Sequence, residues 1–198
     1  VDVIRDEADD SVLNMAGLNK EDDIFAPIIQ STKRRTLWLG ANLVTAILAA
    51  AAIGIFEATI EKIVTLAILM PIVASMGGIA GMQSLALVIR SQATNQIGSS
   101  NSKLLILKES AIGVLNGILW SSVVSIAVYL WFDSVFLGVV IAVALLVNLI
   151  IGAISGVTLP LILKKLNIDP AIAGGVILTT ITDIVGFISL LGVATLIM

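Results

Sequence analysis

The sequence contains neither cysteine nor histidine in its 198 residues. The absence of cysteine excludes disulfide bonds, and the absence of both residues removes the side chains that most often bind zinc and copper. Charged residues make up only 13% of the chain and aromatic residues 5%. Any metal binding must therefore use oxygen ligands. The charged residues are also too few to give several apolar helices a soluble polar shell.

Long apolar stretches dominate the sequence. Hydrophobic residues form 58% of the chain, and the mean hydropathy is +1.10. Five stretches approach or exceed the ~20 residues that a helix needs to cross a bilayer. They cover residues 37–56, 63–89, 104–132, 135–163 and 171–198. The pattern predicts an all-α integral membrane protein of the cell membrane with five transmembrane helices.

The basic residues predict the orientation of these helices. Cytoplasmic loops are enriched in Lys and Arg. With a cytoplasmic N-terminus and an external C-terminus, only Lys62 of the eleven basic residues lies outside. The ten cytoplasmic ones are Arg5, Lys20, Lys33, Arg34, Arg35, Arg90, Lys103, Lys108, Lys164 and Lys165.

Acidic residues are concentrated before the first apolar stretch. The first 23 residues hold eight of the fourteen carboxylates, on a pattern typical of an amphipathic helix. We therefore divide the chain into a cytoplasmic acidic segment, residues 1–35, and a membrane domain, residues 36–198. The segment is either a solvated linker helix or a sensor whose Asp6, Glu7, Asp9 and Asp10 bind cytoplasmic divalent cations. No signal-peptide pattern precedes it, so we expect the sequence to begin in the middle of a longer protein.

Asp183 is the only charged residue between Ala171 and Met198. An ionised Asp at mid-membrane costs roughly 2.5 to 3.5 kcal/mol on insertion scales, so such residues usually face a cavity, an ion path or a partner charge. Thr179, Thr180 and Gly186 share its helix face, with Gly175 one turn further back. The threonines and glycines alone would suit helix packing, but the carboxylate indicates a pore or substrate site.

Other residues of the apolar stretches are weaker candidates. Breaks are expected at Pro71, at the glycines 77, 78 and 81, and at Pro160. The glycine-rich run serves either irregular main chain or close helix packing. Gly77, Gly78 and Gln83 are candidates for lining or gating a pore, because irregular main chain at membrane depth must be buried or line water.

Two further polar residues have alternatives of the same kind. Asn148, midway along the fourth stretch, either joins helices or lines a pore. Asp169 precedes Pro170 as an N-cap would, and it also stands at the predicted cytoplasmic mouth, where a carboxylate would attract cations.

The oxygen donors around Asp183 suit Mg²⁺ or Ca²⁺ better than softer metals. Mg²⁺ sheds water reluctantly and is usually held through one or two carboxylates with its waters kept, which favours a wide, hydrated path. One carboxylate per chain is few for a divalent ion. A symmetric dimer with two Asp183 side chains facing each other across the axis would be more adequate.

Several motifs, in order and at matching separations, resemble the membrane domain of the MgtE family of magnesium channels. The resemblance covers nearly the whole chain. It rests on the acidic run at 6–10, Phe56-Glu57, Pro71 with the glycine-rich run at 77–83, the run at 156–160, Asp169-Pro170-Ala171, and the run Thr179-Thr180-Ile181-Thr182-Asp183-Ile184-Val185-Gly186.

The resemblance implies a homodimer with a pore at its interface and Asp183 in the magnesium-selective site. It also implies regulatory cytoplasmic domains before Val1 and a connecting acidic helix that closes the pore when cytoplasmic Mg²⁺ is high. Mg²⁺ would be cargo and possible regulator, with no organic cofactor. The sequence departs from the family where Ile79 and Met82 stand, since asparagines are usual there.

Other functions make different demands on the sequence. A secondary carrier would exchange the divalent ion for Na⁺ or H⁺, and a structural membrane subunit would not need Asp183. An intramembrane aspartyl protease needs two facing aspartates. An ATP-driven pump of the P-loop class needs a G-x-x-x-x-G-K-[ST] loop, which is absent. We therefore expect no enzyme and no nucleic-acid partner, but a protein of the lipid bilayer that moves divalent cations.

Overall fold

The computed structural model describes residues 13–14, 18, 25, 27–94 and 102–198. All regular structure in these ranges is helical. The helices are α1 (Ile28–Gly54), α2 (Glu57–Lys62), α3 (Thr65–Ala93), α4 (Ser102–Phe132), α5 (Val135–Lys165) and α6 (Pro170–Ile197). Five of them, all except α2, are long and apolar enough to cross a membrane. This confirms the prediction of five helical spans, whereas the sensor candidates Asp6, Glu7, Asp9 and Asp10 lie outside the described residues.

Side-chain caps fix the starts of the last two long helices. Ser134 precedes α5, and its hydroxyl oxygen accepts a hydrogen bond from the Leu137 amide at 3.3 Å. Asp169 precedes α6, and its Oδ1 accepts from the Ala171 amide at 2.8 Å, with Pro170 as the first helical residue. The capping role read from Asp169-Pro170 is therefore confirmed.

The predicted helix breaks are wrong. Pro71 lies inside α3 and Pro160 inside α5, and α3 also continues through its glycines. Each proline removes one main-chain donor, but opening the helix would leave several donors and acceptors without partners in a medium that lacks water. One missing hydrogen bond is the smaller cost, so both helices stay continuous.

The first span begins earlier than predicted. Helix α1 starts at Ile28, nine residues before the apolar stretch, and includes Lys33 and Arg35. Lys and Arg are good helix formers, although they lower the hydropathy on which the prediction was based. A helix therefore extends beyond its apolar portion at this end.

Helix α5 is the centre of the bundle. It packs against α3, α4 and α6, while α3 also packs against α6, and α1 packs mainly on α6. A buried cluster of aliphatic side chains joins α3, α5 and α6, with Leu69, Ile141 and Leu190 among its fully buried members. These three helices position every side chain of the groove described below.

Two pairs of glycines bring α3 and α5 into main-chain contact. Gly77 and Gly81 on α3 face Gly152 and Gly156 on α5, and each pair has the four-residue spacing of one helix face. A Cβ added at Gly152 would lie 2.7 Å from the Gly77 carbonyl oxygen, which is closer than such atoms approach. The glycine-rich run therefore serves close helix packing, the second of the two alternatives read from the sequence.

Candidate ion-binding groove

Asp183 lines an open groove between α3 and α6. It lies near the middle of α6, and the groove beside it has a volume of about 440 Å³. The groove is lined by Ala74, Ser75, Gly78, Ile79, Met82, Thr179 and Asp183. At roughly 30 Å³ for each water molecule, this space is large enough for a cation that keeps its hydration shell.

The carboxylate of Asp183 has no protein donor in the part of the chain that the structure describes. It is half-buried, and the described residues include no group of three or more Asp, Glu, His or Cys side chains that could hold a metal ion. A half-buried carboxylate without hydrogen-bond donors or a basic partner leaves its negative charge directed at the groove. A carboxylate in this setting can attract a cation by its charge, but it does not supply a complete coordination shell.

The two threonines before Asp183 occupy different positions. Thr179 lines the groove, and its hydroxyl donates to the carbonyl oxygens of Gly175 and Val176, each at 3.1 Å. Thr180 donates to Val176 O at 2.6 Å but does not line the groove. Because the hydroxyl hydrogen of Thr179 is engaged by its own helix, its oxygen lone pairs remain for a cation or its water.

The glycines of the Asp183 face also separate into two environments. Gly175 adjoins the groove wall, since a Cβ there would lie 3.8 Å from Met82 Sδ. Gly186 is buried against α5, and a Cβ there would lie 2.7 Å from Asn148 Nδ2. On α3, Gly78 lines the groove whereas Gly77 faces α5.

Asn148 is fully buried where α3, α5 and α6 meet. Its Nδ2 donates a hydrogen bond to Val73 O on α3 at 2.8 Å. The side chain fits only because Gly77 on one side and Gly186 on the other lack a Cβ. Its Oδ1 has no hydrogen-bond partner among the residues that the structure describes. Asn148 thus ties the two walls of the groove to α5 and does not line the groove itself.

The contact made by Asn148 leads to a stability prediction. We expect Asn148→Ala to lower the free energy of unfolding by about 1–2 kcal/mol, because it removes the bond to Val73 O and leaves a small void. Thermal unfolding of the detergent-purified protein, followed by circular dichroism, measures this change. The matched control is Asn42→Ala, since Asn42 donates only within α1, to Trp38 O. Equal melting temperatures of the two variants would contradict the assignment.

The remaining predicted residues lie away from the groove. Gln83 is exposed and lines a different cavity, between α3, α4 and α5. Asp169 lies at the end of the bundle where α5 meets α6, beside a second open hollow of about 480 Å³ that Lys164 and Gln92 also line. Its Oδ2 accepts a hydrogen bond from Asn14 Nδ2 at 3.4 Å, so the segment before α1 reaches this end of the bundle.

Sequence reasoning missed one buried carboxylate, Glu109. This side chain is only 6% exposed, and its Oε2 accepts a hydrogen bond from Ser84 at 2.8 Å. The available signal was spacing: Gly113, Gly117 and Ser121 follow Glu109 at intervals of four residues, and all are buried. Lys103 and Lys108 precede Glu109, so by sequence it resembles a charge at the end of a span. The small residues on its helix face indicate a buried position instead.

Comparison with known proteins identifies the family of the chain. Residues 70–193, from within α3 to near the end of α6, match the sequence profile of MgtE, which is described as a divalent cation transporter. The chain belongs to the MgtE family. The matched region contains Asp183 and every residue that lines the groove, so the resemblance noted from the motifs is confirmed.

Curated relatives of this MgtE-family chain carry the same family name. The chain is 34% identical over 195 residues to the magnesium transporter MgtE of Bacillus subtilis, an alignment that covers 98% of this chain and 43% of that protein. It is 30% identical over 198 residues to that of Enterococcus faecalis, covering all of this chain and 44% of the relative. The magnesium transporter MgtE of Thermus thermophilus is 27% identical over 200 residues, covering all of this chain and 44% of that protein. The chain thus spans less than half the length of these relatives.

Proposed function

We propose that residues 36–198 form the ion-conducting part of a magnesium transporter, through which hydrated Mg²⁺ passes beside Asp183. The observation that carries this proposal is the half-buried Asp183 carboxylate, which faces an open groove and has no donor among the described residues. Thr179 supplies a hydroxyl oxygen next to it. The oxygen donors favour a hard cation, and the relatives named magnesium transporters favour Mg²⁺ among such cations.

We further propose that a second copy of the chain closes the groove. The groove opens to the outside of a single protomer, where hydrocarbon would otherwise meet a carboxylate at high cost. Ser75 and Ile79 on its α3 wall are exposed, so they are available for contact with another chain. In a symmetric dimer two Asp183 carboxylates would face one hydrated ion, which supplies the charge that one protomer lacks.

The orientation and regulation of the transporter follow as parts of the same proposal. With the N-terminus in the cytoplasm, Asp169 stands at the inner mouth, where its carboxylate attracts cations in addition to capping α6. Residues 1–35 precede the membrane domain, and we assign the cytoplasmic Mg²⁺-sensing role to Asp6, Glu7, Asp9 and Asp10. The hydrogen bond from Asn14 to Asp169 supports contact between this segment and the mouth. Regulatory domains would lie before Val1, as the length of the relatives suggests.

The lack of cysteine in the chain makes the groove directly testable. We expect a single Ser75→Cys variant, reconstituted in liposomes, to transport Mg²⁺ until a membrane-impermeant, positively charged thiol reagent is added, after which uptake falls at least about fivefold. The reagent would place a fixed positive charge beside the path, where it repels the cation. Uptake is measured with a Mg²⁺-sensitive dye inside the vesicles.

The control is Ser122→Cys, because Ser122 is also exposed but lies on α4, away from the groove. The same reagent should leave its uptake unchanged. Labelling of the Ser75→Cys thiol without loss of uptake would overturn the proposed path. A reversible disulfide between two chains of the Ser75→Cys variant, with none in the Ser122→Cys variant, would support the dimer, whereas exclusively monomeric protein that still transports Mg²⁺ would contradict it.

A further inference from the structure

The cavity that Gln83 lines lies on the opposite side of α3 from the Asp183 groove. It is lined by residues of α3, α4 and α5, opens to the outside beside the exposed Gln83 and Asn116, and has a volume of about 130 Å³. Four of its lining residues are polar: Gln83, Ser84, Glu109 and Asn116. The α3 residues of this cavity and those of the groove fall on different faces of the helix, so the two spaces are separate.

Glu109 is the most buried carboxylate of the described residues, and its only hydrogen-bond partner there is Ser84. Ser84 is itself 4% exposed. No Lys or Arg of the described ranges forms an ion pair with Glu109, and the adjacent Lys108 is exposed on another face of α4. The arrangement therefore directs a hydroxyl donor at the carboxylate but provides no compensating positive charge.

The energetic balance of this site calls for a compensating positive charge. Removing an ionised carboxylate from water costs more free energy than one hydrogen bond to a charged group returns. The cavity has room for about four water molecules at ~30 Å³ each, and the exposed side chains of Gln83 and Asn116, which also line it, carry amide oxygens.

We propose that Glu109, Ser84, Gln83 and Asn116 form a second cation site, which takes a hard, oxygen-preferring metal ion. The carboxylate supplies the charge, the Ser84 oxygen retains lone pairs while its hydrogen is donated, and the two amides complete a partial shell with water. Divalent ions and Na⁺ share this ligand chemistry. The site does not depend on the proposed function of Asp183, because α3 separates the two.

Metal binding to the purified 198-residue chain tests the site. The Asp183→Asn substitution is present throughout, because it removes the charge of the groove. The probes are Mn²⁺, whose free concentration is followed by electron paramagnetic resonance, and Na⁺, followed by ²³Na relaxation. We expect Glu109→Gln to abolish one equivalent of bound Mn²⁺ or the Na⁺ relaxation enhancement. Excess Mg²⁺ should compete if the site is divalent, and excess Na⁺ if it is monovalent.

The matched control is Glu61→Gln, because Glu61 is an exposed carboxylate on α2, remote from the cavity. It should leave the binding of both probes unchanged. Ser84→Ala, which keeps the charge, should weaken binding at least about fivefold and provides a second test should Glu109→Gln not fold. Unchanged binding of both probes in Glu109→Gln, or in Ser84→Ala if only that variant folds, would overturn the proposal and leave Glu109 as a structural residue bonded to Ser84.

Discussion

Asp183→Asn should reduce Mg²⁺ uptake into liposomes at least about tenfold. The substitution keeps the size of the side chain and its ability to form hydrogen bonds but removes the charge directed at the groove. Two unit charges 4 Å apart interact by about 4 kcal/mol at an effective dielectric constant of 20, and a divalent ion doubles the attraction. Tenfold corresponds to about 1.4 kcal/mol, so even an ion held through a layer of water should lose this much. Initial uptake rates at equal protein content give the measurement.

The matched control for this change is Asp133→Asn. Asp133 is an exposed aspartate in the turn between α4 and α5, and its φ of 49° is one that Asn also tolerates. Its variant should transport at the wild-type rate. Equal, measurable rates for Asp183→Asn and the wild type would show that the carboxylate is not the ion site. Absence of uptake in both would favour the structural-subunit alternative. Wild-type uptake that requires an opposing Na⁺ or H⁺ gradient would replace the open path by a carrier.

Gly156→Ala should destabilise the protein by about 3 kcal/mol or more, at the upper end of what overpacking costs. A Cβ at this position would overlap the Gly81 carbonyl oxygen and approach Ser84 Cβ to 2.8 Å and the Leu85 amide nitrogen to 3.1 Å. These atoms belong to the main chain of α3 or to the first atom of a side chain, so no rotamer change relieves the contact. The helices themselves must separate, and contacts along their whole interface weaken.

Thermal unfolding in detergent would measure this effect, with an expected fall in melting temperature of roughly 6 °C or more. Gly40→Ala is the matched control, because it is the same substitution within a long helix and a Cβ at Gly40 meets no atom within 4 Å. That variant should be neutral or up to about 1 kcal/mol more stable, since Ala favours helix over Gly. A Gly156→Ala protein as stable as Gly40→Ala would contradict the described contact between α3 and α5.

Hydropathy was sufficient to predict the helical spans but not their continuity or their full length. The apolar stretches correspond to α1 and α3–α6 because a bilayer requires about 20 apolar residues per helix. The prediction failed at Pro71 and Pro160, where the alternative to a continuous helix is several unpaired main-chain groups in hydrocarbon. It also failed at the start of α1, because the basic residues that extend this helix carry no apolar signal.

The sequence identified a residue of the candidate site only where a single charged residue lies within an apolar span. Asp183 was evident because nothing else in its span is charged, and the structure places Thr179 and Gly78 beside it. The separation of Gly77 from Gly78, and of Thr179 from Thr180, depends on which helix each face meets, and no single-helix pattern contains that information. Glu109 differs, because the small residues that follow it at four-residue intervals on α4 can be seen in the sequence, and α5 packs against two of them, Gly113 and Gly117.

The glycine contacts and Asn148 together hold α3, α5 and α6 against one another. Main-chain contact joins α3 to α5, and Asn148, seated between Gly77 and Gly186, joins both helices to α6. The two walls of the Asp183 groove are consequently expected to move together. Moving α3 away from α6 to widen the groove would break the contacts of Asn148 and of the facing glycines together. We therefore expect any change of width along the ion path to come from displacement of whole protomers, or of a segment docked at Asp169, with the walls themselves unchanged.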